Sequence, residues 1–359
     1  MSGDVRRQPA EKPSTPVVAP TSPAVPERMA TMMDVAKLAG VSHQTVSRVL
    51  NDQAKVSPQT RTRVLDAMRQ LDYQPNSAAR ALVTRRSKTL GLVTFDTTLF
   101  GPASMVYGIE QAARDAGYFV SIASIRTLSR RAVLDAIGQL RLQSVEGIVA
   151  IVPKDSAVVA LSAVPPGIAL VGVGVGGGAD VPMVGVDNVV GAALATRHLL
   201  SLGHKTVHHI SGPPGWPEAR ERATGWREAL TAYAAPAPPV LVGDWSARSG
   251  YLAAQRLAGD PTVTAVFCAN DQMALGALRA LHEVGRRVPA DVSVVGFDDV
   301  PEGPYLIPPL TTVQQDFAEV GRRSLALLME QIATGARPHR QIHLTPQLKV
   351  RDSSARAVA

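Results

Sequence analysis

From Leu90 onward the chain alternates short apolar runs with helical patterns, and this alternation most restricts what it can fold into. Runs that are apolar throughout are typical of parallel strands covered by helices on both faces. The pattern repeats in two halves, which predicts an α/β core of two doubly wound parallel-sheet lobes with a cleft between them. The predicted strands are LGLVTFD, YFVSIASI, GIVAIV, IALVGVGV and MVGVD in the first half and TVHHISG, PVLVGDW, AVFCAND and VSVVGFDD in the second.

Helical patterns follow most of these runs. They lie near residues 104–116, 130–142, 189–202, 219–233, 247–258 and 272–285. A final strand, LTTVQQDF, precedes a helix near 318–334 that we expect to return to the first lobe. In open sheets of this kind ligands bind at the carboxyl ends of the strands, so we expect a small-molecule site in the cleft.

Residues 31–51 form a separate pattern of two short helices joined by a turn at Ala39-Gly40-Val41. Thr31 and Asp34 predict a capping box for the first helix, and Ser42 predicts a cap for the second. The apolar positions predict a buried stripe on each helix, formed by Val35, Ala36, Leu38, Val41, Val46, Val49 and Leu50.

The second helix of this pair turns polar side chains outward, of types that hydrogen-bond base edges and phosphates. They are His43, Gln44, Thr45, Ser47 and Arg48. The arrangement predicts an all-α helix-turn-helix domain whose second helix enters the major groove of DNA. The alternative is an ordinary helical hairpin with a polar face.

A third helix and a basic linker follow. Ser57 as cap and Pro58 in the first turn predict a helix that runs to about Leu71. Its predicted buried stripe consists of Val64, Leu65, Met68 and Leu71. The segment 76–88 is Ala-rich and basic, and Leu82 is its one large apolar side chain. This composition indicates a linker that can become a helix.

The distribution of charge indicates a polyanionic partner for the first quarter of the chain. Residues 1–90 hold 14 Lys and Arg against 7 Asp and Glu, whereas residues 91–359 hold 23 of each. DNA binding by the first quarter explains this better than a generally basic surface does. A membrane surface is the alternative, but no amphipathic helix with a wide apolar face accompanies the charge.

Length and composition limit the remaining classes. A chain of 359 residues predicts two to three compact units, and no run approaches the ~18 apolar residues of a membrane span. Residues 1–30 hold six prolines, so we expect a disordered tail or a start-site choice rather than a secretory signal. The single cysteine, Cys268, lies in the apolar run AVFCAN, which predicts a buried thiol, no intrachain disulfide and a cytoplasmic protein.

Polar side chains at the ends of the second-lobe strands are the candidate ligand contacts. They are Asn270 and Asp271 after AVFCA, Asp298 and Asp299 after SVVGF, Trp245 after VLVGD, and Arg222 in ISGPPGWPEARER. Amide, carboxylate, guanidinium and an indole face are the groups that a sugar site uses for hydroxyls and for the C–H face of the ring. Two local interpretations stay open, that Asp271 only caps the next helix and that Asp299 only shapes a turn.

Other chemistries find little support. The run Gly172-Val173-Gly174-Val175-Gly176-Gly177 matches a dinucleotide pattern, but that pattern needs a helix at the loop, and here another strand follows. We therefore expect a flexible loop at the edge of the cleft. His208 and His209 face opposite sides of a strand, so we expect core or surface histidines rather than metal ligands. We expect no cofactor, no metal and no enzyme activity.

Four segments carry a resemblance that covers about residues 31–350: DVAKLAGVSHQTVSRVLN, ANDQMALGALRAL, DVSVVGFDD and IPPLTTVQQDF. On these segments the chain resembles the lactose-repressor (LacI/GalR) family of bacterial transcriptional regulators, most closely its type member. The resemblance implies a homodimer that reads a pseudo-palindromic operator on double-stranded DNA. It also implies an effector core like the periplasmic sugar-binding proteins, and release of DNA when a small sugar or glycoside binds.

The resemblance also implies roles for individual residues. On the DNA side, His43, Gln44 and Arg48 are implied to face bases, and Thr45 and Ser47 mostly phosphate, with Ser42, Asn51 and Asn76 as further contacts and Leu82 as a minor-groove wedge in a hinge helix. On the ligand side, the implied contacts are Arg222, Trp245, Asn270, Asp298, Gln315 and Phe317, with Leu99 and Pro102 as apolar contacts on the first lobe.

Two departures from the type member limit what carries over. The type member has an aspartate after the strand that corresponds to IALVG, whereas this chain has the glycine run there. The resemblance therefore does not extend to galactoside specificity. The type member's C-terminal leucine-heptad tail has no counterpart, because this chain ends DSSARAVA, and we expect no tetramer.

The predicted organisation has five parts. They are a disordered tail at 1–30, a helix-turn-helix domain at 31–75, a hinge helix or linker at 76–88, a two-lobed effector-binding and dimerisation core at 89–350 and a tail at 351–359. The expected function is a cytoplasmic, sugar-responsive transcriptional repressor. A free solute-binding protein would need an export signal and has no use for residues 31–90. An enzyme using the glycine run would need a cofactor helix.

Overall fold

The computed structural model describes residues 30–50, 56–74, 86–127, 129–151, 155–165, 167–176 and 181–357. The chain divides into two compact units, residues 1–80 and residues 81–359. Three of the predicted DNA contacts, Asn51, Asn76 and Leu82, lie outside the described residues. So do most of the predicted tail at 1–30 and most of the predicted hinge at 76–88, and these assignments stay predictions.

The described part of the first unit contains three helices, α1 (Met32–Ala39), α2 (His43–Leu50) and α3 (Pro58–Gln70). The predicted caps are present: Thr31 and Asp34 form a capping box, and the backbone N–H of Thr45 donates to Ser42 Oγ over 3.2 Å. Gly40 ends α1 with a φ of 63°, in the left-handed region that glycine adopts without strain. These local signals set the tight turn between α1 and α2.

The core of the first unit is small and consists of alanine and valine. Val35, Val46 and Val64 are completely buried where the three helices meet. The predicted stripe was wrong for Leu38 and Leu65, whose side chains are 50% and 44% exposed. Each lies about 100° around its helix from the buried face, which smaller residues fill instead, chiefly alanine and valine.

The second unit begins with a lobe built on a six-stranded parallel sheet in the order β2-β1-β3-β4-β5-β11. Its strands are β1 (Thr89–Phe95), β2 (Phe119–Ile125), β3 (Ile148–Ile151), β4 (Leu170–Val173), β5 (Met183–Val186) and β11 (Gln341–Leu344). Its helices are α4 (Phe100–Asp115), α5 (Arg130–Leu142), α6 (Asp155–Ser162) and α11 (Phe317–Thr334). Helices α4 and α11 cover one face, and α5 and α6 the other.

The second lobe repeats this architecture with the sheet order β7-β6-β8-β9-β10-β12, in which only β12 is antiparallel. Its strands are β6 (His208–Ser211), β7 (Leu241–Val242), β8 (Ala265–Cys268), β9 (Ser293–Asp298), β10 (Thr311–Gln314) and β12 (Gln347–Lys349). Its helices are α7 (Asn188–Ser201), α8 (Pro217–Ala232), α9 (Ala247–Ala258) and α10 (Asp271–Glu283). The predicted pair of doubly wound lobes is confirmed.

The chain crosses between the lobes three times: from β5 to α7, from β10 to α11, and from β11 to β12. The return of α11 to the first lobe matches the prediction, whereas β11, β12 and α6 had no predicted counterpart. Helix α4 begins four residues earlier than predicted. Pro102 does not prevent this, because the backbone nitrogens of a first helical turn have no intrahelical acceptor.

Residues 351–357, predicted as part of a tail, pack on the second lobe. Ser353 is buried and donates from Oγ to the carbonyl of Val294 over 2.6 Å, and the backbone N–H of Ala357 donates to the carbonyl of Leu202. Cys268 and His209 are both buried in this lobe, in line with the sequence analysis. Within the described ranges, no helix is long and apolar enough to cross a membrane.

Candidate functional site

A cavity of about 280 Å³ lies between the two lobes, at the carboxyl ends of their strands. The second lobe supplies its polar wall through Trp216, Glu218, Arg222, Trp245, Ser246, Asn270, Gln272, Asp298 and Gln315. The first lobe supplies an almost wholly apolar wall, formed by Thr98, Leu99, Phe100, Gly101, Met105, Gly174, Val175 and Val186. Asn188, at the first crossing between the lobes, completes the lining among the described residues.

Six of the eight predicted ligand residues line this cavity. They are Leu99, Arg222, Trp245, Asn270, Asp298 and Gln315. The other two, Pro102 and Phe317, are not in its lining. Phe317 is buried and packs edge-on against Phe100, with 5.9 Å between ring centroids, so it supports the wall from behind. Pro102 lies in the first turn of α4, beside the lining residue Gly101.

Arg222 and Asp298 form a buried ion pair on the polar wall. Arg222 Nη1 lies 3.6 Å from Asp298 Oδ1, and the two side chains are only 6% and 7% exposed. Burial lowers the pKa of Arg222, while the neighbouring carboxylates, Asp298 foremost, oppose that change. The guanidinium also donates to Asn188 Oδ1 over 2.8 Å and to the carbonyl of Ala269, and these bonds fix its position at the floor of the cavity.

The Asp298 carboxyl is held in place from two sides. Gln315, at the second crossing between the lobes, donates from Nε2 to Asp298 Oδ1 over 2.6 Å. Burial raises the pKa of Asp298 to about 6, although Arg222 and Gln315 both favour the ionised form. Asp298 is therefore bonded directly to the segment through which the chain passes from one lobe to the other.

Asn270 and Trp245 are coupled to each other. Asn270 caps α10, accepting from the backbone N–H of Met273 over 2.9 Å, and donates from Nδ2 to the Trp245 carbonyl over 3.0 Å. Trp245 has a φ of 74°, an unusual value for a bulky residue. Its ring packs so closely on Gly212 that an added Cβ there would overlap it. This strained backbone presents the indole to the cavity.

The two neighbouring aspartates have other roles. Asp271 does not cap α10, because Asn270 already does; its buried carboxylate accepts from Thr312 Oγ1 and from the Val300 N–H, which ties α10 to β10 and to the turn after β9. Asp299 accepts from Arg351 and Gln314 and does not line the cavity.

The exposed face of α2 is the second candidate surface. Ser42, His43, Gln44 and Arg48 are exposed, while Thr45 and Ser47 are half-buried. The helix is held from below by Val46 and Val49, so its outer polar face takes no part in the core of this unit. Arg63 on α3 donates to the carbonyls of Ala39 and Gly40 and so fixes the turn that orients α2.

Comparison with known proteins decides the family. Residues 31–76 match the profile described as "Bacterial regulatory proteins, lacI family", and residues 196–354 match a periplasmic binding protein-like domain. The lactose operon repressor of Escherichia coli (strain K12) is 36% identical over 302 residues, which cover 84% of each chain. This protein belongs to the LacI family.

Two solved structures extend the likeness to the fold. A lac repressor dimer bound to operator and the anti-inducer ONPF is 35% identical with a TM-score of 0.82, covering 91% of this chain and 100% of that one. A CelR–cellobiose complex is 34% identical with a TM-score of 0.67, covering 90% of this chain and 99% of the other. The curated relatives found are transcriptional regulators.

The structure brings residues to the cavity of this LacI-family protein that the sequence analysis missed. Glu218 lies one turn before Arg222 in the same quoted segment, ISGPPGWPEARER, so its position on α8 was available as a signal. Asn188 follows β5 directly, which is the strand-end position used to find the other candidates. Met105 and Phe100 carried no such signal, because their place in the cavity depends on where α4 begins.

Gly174 and Val175 place the end of β4 at the edge of the cavity. Among the described residues, the next element after β4 is the strand β5, which pairs with β4 in parallel. No group of three or more His, Cys, Asp or Glu side chains suited to a metal ion occurs in the described part of the chain.

Proposed function

We propose that this LacI-family protein is a homodimeric, sequence-specific repressor of sugar-utilisation genes that a small sugar or glycoside releases from its operator. The observation that carries the proposal is the polar wall of the inter-lobe cavity in a chain that also contains a helix-turn-helix. A regulator of this kind acts in the cytoplasm, where it meets the chromosome. The predicted division of the chain into tail, DNA-binding domain, hinge and core is part of the proposal.

For DNA, the proposal assigns the outer face of α2 to the major groove. His43, Gln44 and Arg48 reach base edges, and Thr45 and Ser47 contact phosphate together with Ser42. Ser42 and Thr45 already bond each other, with 3.0 Å between their hydroxyl oxygens, so they present a fixed pair of polar groups at the start of the helix. Asn51, Asn76 and Leu82 complete the assignment from outside the described residues.

For the effector, the proposal assigns the polar wall to sugar hydroxyls and the apolar wall to the rest of the ligand. Arg222, Asp298, Asn270 and Gln315 offer both donors and acceptors, and Trp245 offers a flat face for the C–H side of a sugar ring. Leu99 contributes to the apolar wall, while Pro102 and Phe317 support it.

The two solved structures above support both halves of the proposal. The lac repressor dimer is described as bound to operator and to an anti-inducer, and the CelR complex contains cellobiose. A sugar effector and a dimer on DNA are therefore found among proteins similar to this one along most of its length.

The test is fluorescence anisotropy on labelled fragments from the region upstream of the protein's own gene and of its neighbours. We expect saturable binding to one fragment, reversed by a sugar from a panel containing cellobiose. Arg48→Ala should weaken specific binding by about 1–3 kcal/mol. Arg131→Ala is the matched control. The Arg131 side chain is 92% exposed on the second unit, and the substitution removes the same positive charge as Arg48→Ala does.

Equal loss of affinity in the two variants, or no fragment bound above scrambled DNA, would rule out sequence-specific recognition by α2. Binding to operator that no member of the sugar panel reverses would remove the effector half of the proposal and leave the DNA half in place.

A further inference from the structure

Glu218 is an acidic side chain on the polar wall, and one of its carboxyl oxygens has no hydrogen-bond partner in the described structure. It lies in the first turn of α8 and lines the cavity. Its Oε2 is buried and has no hydrogen-bond partner among the described residues. Buried carboxylate oxygens are normally paired, because leaving one unpaired loses its hydration without a replacement hydrogen bond.

The charges around Glu218 offset its burial only in part. On its own helix Arg222 and Arg220 favour the ionised carboxyl and Glu221 opposes it, and the guanidinium of Arg222 is also engaged with Asp298, Asn188 and the Ala269 carbonyl. From the second sheet, Asp298 adds a further negative charge to the wall. The described lining residues of the first lobe carry no charge.

A second unpaired group lines the same cavity. Trp245 Nε1 is buried without a hydrogen-bond partner in the described structure, so the wall offers one unused acceptor and one unused donor. A hydroxyl group can both donate and accept, whereas an ammonium only donates and a carboxylate only accepts. A ligand with several hydroxyl groups therefore carries both the donor that Glu218 lacks and the acceptor that Trp245 lacks.

We propose that Glu218 determines effector specificity by accepting hydrogen bonds, as a carboxylate, from hydroxyl groups of a polyhydroxylated effector. Effector affinity is consequently coupled to pH. This inference rests on the proposed effector pocket. It adds Glu218 as the residue that selects the ligand and pH as the condition that controls the selection.

The direction of the pH dependence follows from the state of Glu218. Burial, the largest influence, raises the pKa of its carboxyl to about 7, above the usual 4.5. The ionised fraction of such a group rises from about one tenth at pH 6 to about nine tenths at pH 8. A ligand that needs the carboxylate therefore gains about tenfold in affinity over this range. Asp298, with a pKa of about 6, contributes only about a twofold rise.

The experiment measures affinity by isothermal titration calorimetry on the full chain without DNA. The panel contains cellobiose, lactose, maltose and 2-nitrophenyl β-galactoside at pH 6 and pH 8, and the tightest binder is carried into the variants. We expect wild-type affinity for it to rise about ten- to twentyfold between the two pH values, about tenfold from Glu218 and up to twofold more from Asp298. In Glu218→Gln the rise should be no more than about twofold, the part due to Asp298.

Two further variants separate recognition from folding. Glu221→Gln removes the same charge one residue before Arg222, on a side chain that does not line the cavity, and it should keep the tenfold rise. Glu218→Asp keeps the charge and shortens the side chain, so it should keep a pH dependence with lower affinity at both pH values. Thermal unfolding of each variant at pH 6 checks that the fold is intact.

A wild-type affinity that is level or falls with rising pH overturns the inference, as does a tenfold rise retained in Glu218→Gln. Failure of every panel member to bind also overturns it. The operator titration described above is independent of these measurements. Loss of operator binding with the pH effect intact refutes the proposed function and leaves the role of Glu218 standing, and the reverse result refutes only the role of Glu218.

Discussion

Replacing Arg222 by methionine should destabilise the protein much more at pH 8 than at pH 5. Methionine keeps an unbranched apolar chain beside Phe297, over whose ring the guanidinium carbon lies 3.8 Å from the centroid. It removes the positive charge that lies 3.6 Å from Asp298 Oδ1 in a buried setting. Removing one partner of a buried pair leaves the other charge uncompensated, which is where the cost arises.

Asp298 gives the largest part of the pH dependence, because it interacts with Arg222 more strongly than the neighbouring carboxyls Glu218 and Asp271 do. Burial raises its pKa to about 6 in the folded protein, above the usual 3.8, so its contribution to stability falls as pH rises from the lower value to the higher one. At pH 8 the ionisation of buried Asp298 lowers the free energy of unfolding of the wild-type protein by about 3 kcal/mol. Without Arg222 the pKa rises further, and a carboxyl that stays protonated to pH 8 costs about 6 kcal/mol. The difference, about 3 kcal/mol, vanishes at pH 5, where folded Asp298 is mostly protonated in both proteins.

A second part of the loss does not depend on pH. Arg222 donates to Asn188 Oδ1 and to the Ala269 carbonyl, and each acceptor left unpaired in a buried place costs about 1–3 kcal/mol. The expected loss is therefore about 2–6 kcal/mol at pH 5, with about 3 kcal/mol more at pH 8.

The assay is urea unfolding followed by tryptophan fluorescence, which reports on the second lobe because Trp216, Trp226 and Trp245 all lie there. Wild type, Arg222→Met, Asp298→Asn and the double variant are compared at pH 5 and pH 8. When Arg222→Met is made in the Asp298→Asn variant, the extra loss at pH 8 should shrink by about 3 kcal/mol. A penalty for Arg222→Met that is the same at both pH values within about 1 kcal/mol would refute the reasoning.

Four other outcomes can be measured on the same preparations. Operator affinity should fall steeply with salt, by about 0.9 in log K per log salt for each phosphate contacted, and a slope near zero would contradict recognition by the basic first quarter. Light scattering should give a dimer of twice 37.9 kDa, because a two-fold operator needs two readers, and a monomer on operator would contradict this. Gly212→Ala should weaken effector binding and cost about 1–3 kcal/mol of stability, since the Trp245 ring must move; unchanged values would show that the ring position is unimportant. Leu82→Ala should weaken operator binding much more than binding to scrambled DNA, and equal losses would remove the wedge role proposed for Leu82.

Much of the fold was predictable because its signals are local. The capping box of Thr31 and Asp34 and the glycine at position 40 act within one or two helical turns, so the first two helices follow from the sequence around them. The apolar runs that form β1, β3, β8 and β9 are buried along most or all of their length, as expected for parallel strands covered on both faces. The strand-end rule then located Trp245, Asn270 and Asp298 at one cavity.

The rest depends on distances between segments that are far apart in the chain. Burial of Leu38 or Leu65 depends on which face of each helix meets its neighbours, and smaller residues occupy those faces. Arg222 pairs with Asp298, whereas Oε2 of Glu218, four residues earlier, has no partner in the described structure. This difference is set by where the packed lobe places α8 relative to the end of β9, and no local pattern contains that information. The sequence by itself determined most of the elements and the end of the sheets at which a ligand site forms, because periodicity and capping are local. Only the tertiary structure decided which charges meet there, because side-chain pairing and burial require the packed lobes.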